Sequence, residues 1–73
     1  MKIKIKTDFI KLSQLIKLSN IVSQGSDAKM FILDGKVKLN GETVFERGKK
    51  VYPGDEVIVA GFEKINVVSA SSE

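Results

Sequence analysis

The spacing of apolar and polar positions changes several times along this 73-residue chain. Residues 2–6 read KIKIK, with Ile3 and Ile5 projecting to one side and Lys2, Lys4 and Lys6 to the other, the alternation of a half-buried strand. In FIKLSQLIKLSNIV the period lengthens. Leu12, Leu15, Ile16 and Ser19 recur at helical spacing, with Leu18 and Val22 on an adjoining flank. A short helix is predicted from Leu12 to about Ser19, with Ser13 as its candidate N-cap. SQGSDAK interrupts the pattern: Ser23 and Ser26 are N-cap candidates for a second helix, and Gly25 permits a sharp bend. Ala28, Phe31 and Ile32 mark the buried face of that helix, Asp27 suits the dipole in its first turn, and Gly35 stops it in a left-handed conformation.

From Lys36 the period returns to two. Val37 and Leu39 face the core, and Lys36 and Lys38 face away. Asn40-Gly41 is a strong hairpin signal, because both turn positions take positive φ, and residues 42–45 return as the partner strand. FERGKK follows as a polar, mobile excursion broken by Gly48. Val51 and Tyr52 lead into Pro53-Gly54-Asp55, where proline sets φ and glycine takes the second turn position. EVIVA at 56–60 is another strand, Gly61 marks a turn, the last strand falls at about 64–68, and 69–73 read as a frayed tail. The expected class is α+β: two short packed helices against a small, mostly antiparallel sheet, whose terminal strands can pair and close the unit. Phe31 and Phe45 are assigned to the core and Tyr52 to packing beside the Pro-Gly-Asp turn, so no stacking platform for single strands is expected.

Composition narrows the chemistry. The length suits one domain over 1–73, and a chain this short buries only about 60% of its unfolded surface. There is no cysteine or histidine, which excludes disulfides, thiol chemistry and Cys/His zinc sites. No run approaches the ~20 apolar residues of a membrane span, and the alternating N-terminus lacks the continuous apolar stretch of a secretory signal, so a cytoplasmic location is expected. Serine has no histidine to activate it. A Ser26–Lys29 pair is explained equally well by a helix cap and a solvent-facing lysine, and Asp55 by a carboxylate that caps the amides of its own turn. Asp27, Asp34 and Glu42 lack calcium-loop spacing, and no glycine-rich phosphate loop is present. The expectation is no catalytic residue, no metal and no cofactor.

Charge is more informative. The net charge is +3, but its distribution is uneven: residues 1–11 and 36–50 each carry +3, residues 12–35 balance, and residues 51–73 carry −3. A face for an anionic partner follows from such asymmetry, although strand lysines also serve solubility. Lys29, off the buried stripe of the second helix, can converge with Lys36 and Lys38 if the helix pair stacks against the strand. The start of that helix, at Gly25 and Ser26, offers backbone amides to a phosphate. Arg47, Lys49 and Lys50 form a second group.

The order of these features, with LSQLIKL, SDAKMFI, GKVKLNGETV and KKVYPGDEVIV between Leu12 and Val59, resembles the S4 RNA-binding domain. With KIKIK ahead of it, the chain is similar to the small free-standing bacterial S4-like proteins of the YaaA/YbcJ type. The resemblance implies an S4-like (alpha-L) fold with its core at 12–59. It also implies a helix pair and following strand that bind structured RNA, ribosomal or transfer. On this chain the implied surface comprises Lys11, Lys17, Gly25, Ser26, Lys29, Lys36 and Lys38, with Asn40, Gly41, Gly54 and Asp55 as turn formers. Many S4 domains place an arginine after a serine where Gln24-Gly25 stands here, so that characteristic basic contact is absent and the reading from residues rests on lysines alone. The expected function is a non-catalytic, monomeric RNA-binding module, acting alone or on a ribosomal particle. The alternative is a small ribosome-associated protein–protein adaptor, distinguished by a contiguous exposed apolar patch.

Overall fold

Seven short strands and two helices are arranged in chain order β1 (Lys2–Ile5), β2 (Ile10–Lys11), α1 (Leu12–Leu18), α2 (Gly25–Leu33), β3 (Val37–Leu39), β4 (Glu42–Thr43), β5 (Lys50–Val51), β6 (Glu56–Val59) and β7 (Ile65–Ser69). The computed structural model describes residues 1–21 and 25–70. The main sheet has the order β1-β7-β6-β3-β4. Its β1–β7 pair is parallel, which joins the two ends of the chain, and its other pairs are antiparallel. β2 and β5 form a separate two-stranded antiparallel ribbon.

The alternation in the strands sets the two faces of the sheet. Val37, Val57, Val59, Ile65 and Val67 are fully or almost fully buried, whereas Lys38, Glu56 and Ile58 face outward. The helices supply the other half of the core through Leu12, Leu15, Ile16, Ala28 and Ile32, all with no exposed surface. Each of these Leu and Ile side chains contributes about 1.5–3 kcal/mol on burial. Ala28 is the small residue on α2's buried face, where α1 and α2 pack against each other.

Both glycine- and asparagine-dependent turns form as the sequence predicts. Asn40 (φ 50°) and Gly41 (φ 89°) turn β3 into β4. Gly35 (φ 74°) ends α2: its amide donates to Ile32 O at 3.1 Å and that of Lys36 to Phe31 O at 3.1 Å, the paired bonds of a Schellman motif. In the Pro53-Gly54 turn, the Asp55 amide donates to Tyr52 O at 3.0 Å and Gly54 has φ 98°. The Tyr52 amide donates to Asp55 Oδ2 at 2.8 Å, the capping expected of that carboxylate.

Several local expectations are corrected. Ser13 does not cap α1. The chain passes directly from β2 into the helix, Lys11 occupies the cap position with extended backbone, and no side chain caps it. The amides of Leu12 and Ser13 donate instead to the carbonyls of Lys49 (2.9 Å) and Arg47 (3.1 Å). Those bonds, with the β2–β5 ladder, make residues 47–51 a tethered segment rather than a free excursion. Ser26 lies within the first turn of α2, which begins at Gly25, and so does not precede the helix as a cap. Ser23, Val22, Gln24 and residues 71–73 lie outside the described residues. Leu18 turns to solvent, and Phe45, expected in the core, is 58% exposed beside Gly35, whereas Phe31 is half-buried. Ser69 pairs with Ile5, so β7 extends one residue into the expected tail.

Candidate nucleic-acid interface

Two basic stretches that are remote in sequence meet at the β2–β5 ribbon. Lys11 and Lys50 are direct partners in its register, and both are exposed. Like charges placed opposite each other across a ladder are unfavourable. Part of that cost is offset for Lys50, whose Nζ lies 4.8 Å from the Phe9 ring centroid, a cation–π contact of about 0.5–1 kcal/mol at an exposed site. The bonds from Leu12 and Ser13 hold the Lys49 and Arg47 backbone at the start of α1. The group of Arg47, Lys49 and Lys50 is therefore brought beside Lys11, not held apart from it.

Lys17 occupies the last turn of α1, where a cation suits the helix dipole, and is exposed. With Lys6, Phe9, Gln14 and Leu18 it lines a groove between the β1–β2 connection and α1.

The remaining candidates stand around α2 and its exit. Gly25 and Ser26 open the helix, with Asp27 acidic in the same turn. Lys29 is exposed, off the stripe formed by Ala28 and Ile32. Lys36 immediately precedes β3, and its Nζ lies 5.4 Å from the Phe31 ring centroid. Lys38 projects from the outward side of β3, between its ladder partners Thr43 and Ile58. These three lysines thus rise from separate supports: the helix, the chain leaving it and the sheet.

Two acidic side chains of the C-terminal half, Asp55 and Glu56, are engaged elsewhere. Asp55 is bonded within the turn network, and Glu56 pairs with Lys64 at 3.7 Å, an exposed ion pair that contributes little to stability.

Sequence reasoning did not single out Phe9 and Lys6, and it gave Tyr52 only a packing role. Tyr52 does pack, with its ring centroid 5.9 Å from that of Phe9 at an interplanar angle of 50°, yet it remains 47% exposed. A half-exposed ring thus lines a hollow together with Lys50. The signal is absent from the linear pattern, because the ribbon that joins Phe9 to Tyr52 consists of two-residue strands too short to display a period.

Among the described residues no helix is long and apolar enough to cross a membrane. The family model described as "S4 domain" matches residues 3–68. A protein of Bacillus subtilis (strain 168) named "Probable ribosome maturation protein RlbA" is 39% identical over 67 residues, covering 92% of this chain and 94% of that protein.

Proposed function

The chain belongs to the S4 domain family, and on that premise we propose that it is a non-catalytic RNA-binding module that recognises structured RNA mainly through the phosphate backbone. The observation that carries this reading is the Lys11–Lys50 pairing. It sets one lysine from each +3 segment of the sequence side by side at a place where neutral partners would suit the ladder better. Lysines on flexible stems contact phosphates with little sequence selectivity, and their placement on helices and strands supplies selection by shape.

Lys11, Lys17, Lys29, Lys36 and Lys38 carry the contacts in this reading, with the start of α2 at Gly25 and Ser26 offering amides, and Arg47, Lys49 and Lys50 extending the surface. The similar Bacillus subtilis protein is named for ribosome maturation, which puts ribosomal RNA or an assembling ribosomal particle first among targets, ahead of transfer RNA. The module acts in the cytoplasm as a monomer.

A second reading, a protein–protein adaptor, has a specific observation in its favour. Met30 and Leu33, three residues apart on α2, are 60% and 56% exposed, and exposed Phe45 lies against Gly35 just beyond the end of that helix. Titration of a structured ribosomal RNA fragment at about 50 and 200 mM salt separates the two. The RNA reading expects binding that weakens with salt and falls sharply in a folded Lys11→Gln/Lys50→Gln variant. Binding to neither RNA nor ribosomal particles, with Met30→Ser/Leu33→Ser abolishing capture of a protein partner, would establish the adaptor.

A further inference from the structure

The surface around Phe9 differs in kind from the rest of the basic face, because rings and lysines alternate along it. At one end Tyr52, half exposed, lines a hollow with Lys49 and Lys50. Its ring meets Phe9, whose face carries the Lys50 ammonium. On the far side, Phe9 forms part of the groove that Lys6, Lys17 and Leu18 also line. The Phe9–Tyr52 ring contact therefore links the two: Tyr52 lines the hollow and Phe9 the groove. Glu46, at the hollow's edge, is the acidic residue among its described lining residues, against Lys49 and Lys50.

This arrangement differs from what duplex phosphates alone require. Phosphates need cations, whereas a half-exposed Tyr52 ring, a partly buried Phe9 ring and an exposed Leu18 beside cations suit a ligand that alternates anionic and flat apolar parts. A paired RNA strand keeps its bases stacked inside the helix and cannot offer those parts. An unpaired strand offers both, one phosphate and one base per nucleotide.

We propose that the Tyr52–Phe9 track and the adjoining groove seat unpaired nucleotides that flank the structured RNA element, with a base against Tyr52 and following phosphates on Lys50, Lys6 and Lys17. This inference rests on the RNA-binding reading and adds a partner feature to it: the preferred RNA is a helix with an unpaired extension, not a blunt helix.

Tyr52 is the chain's sole tyrosine, and tryptophan is absent, so intrinsic emission reports on this position alone. The probes are a blunt RNA hairpin and the same hairpin with a short unpaired extension, each end-labelled for anisotropy. The parent protein is expected to bind the extended hairpin about fivefold or more tightly, since base–aromatic stacking is worth at least that much. Tyr52 emission should be quenched by the extended hairpin and not by the blunt one. The affinity ratio should fall to about one in Tyr52→Leu, stay near the parent value in Tyr52→Phe, and shrink in Lys6→Ala. Equal affinity for both hairpins with unchanged tyrosine emission would overturn the track while leaving RNA binding intact. Failure of either hairpin and of a ribosomal RNA fragment to bind would overturn the track together with the reading beneath it.

Discussion

Asn40 and Asp55 join two turns that lie fifteen residues apart in the chain. Asn40 Nδ2 donates to Asp55 Oδ1 at 3.1 Å, and Asn40 Oδ1 accepts the Glu56 amide at 2.9 Å. The other carboxylate oxygen, Asp55 Oδ2, accepts the Tyr52 amide at 2.8 Å. One side-chain pair thus connects the β3–β4 hairpin, which follows Lys38, to the turn that follows Lys50 and Tyr52. The bridge adds to the β3–β6 ladder and to the Asn40 amide's bond to Glu56 O at 2.8 Å, which hold the same two segments together.

Replacing Asn40 by glycine tests the bridge without straining the turn, because glycine accepts the positive φ of 50° at that position. Asn40→Gly is expected to lower stability by about 1–3 kcal/mol in urea unfolding, the cost of losing the side chain's bonds to Asp55 and Glu56. An unchanged midpoint would mean that solvent replaces those bonds at no cost.

Gly35 and Gly48 offer a matched pair of substitutions. Gly35 has φ 74°, and an added Cβ would lie 3.3 Å from Phe45 Cε1. The exposed Phe45 ring can move aside, so Gly35→Ala should cost about 1–2 kcal/mol, mainly from the left-handed backbone. At Gly48 a Cβ meets nothing within 4 Å and φ is not in the left-handed region. Gly48→Ala should therefore be neutral or stabilising by up to about 1 kcal/mol, and thermal unfolding distinguishes the two.

The two leucines of α1 separate core from surface. Leu15 is fully buried and Leu18 is 56% exposed. Leu15→Ala is expected to cost about 2–5 kcal/mol, and Leu18→Ala about 0.5 kcal/mol or less. Comparable losses from both would contradict the orientation of the helix.

Removing one charge should move stability and binding in opposite directions. Lys11 faces Lys50 across the ribbon and sits at the N-cap of α1, where the helix dipole also disfavours a cation. Lys11→Gln is expected to raise stability by roughly 0.3–1 kcal/mol at low salt. RNA affinity should fall, and the salt slope of binding should decrease by about one. Paired melts and RNA titrations check both halves.

Most of the main sheet and both helices were legible in the sequence because their patterns are long enough to have a period. KIKIK, EVIVA and the Ala28-Phe31-Ile32 stripe each match the observed burial, apart from half-buried Phe31. Asn40-Gly41 and Pro53-Gly54 were legible because their backbones favour few residue types. The β2–β5 ribbon was not legible, since two-residue strands carry no alternation and their pairing joins residues about forty positions apart. The same pairing explains the misplaced cap of α1: backbone carbonyls of Lys49 and Arg47 satisfy amides that a serine would otherwise cap. Phe45 is exposed rather than in the core because the return strand ends at Thr43, short of the expected 42–45, so no strand alternation orients Phe45. For the candidate site, the individual lysines were readable, but not which of them stand together.

Amide chemical-shift mapping of the isotope-labelled protein against a structured ribosomal RNA fragment locates the RNA on the protein surface. Shifts are expected to gather along Lys11, Lys17 and Lys50 and continue at Lys29, Lys36 and Lys38, while buried positions such as Val57 change little. Shifts confined to Met30, Leu33 and Phe45, or none at saturating RNA and low salt, would contradict the proposed interface.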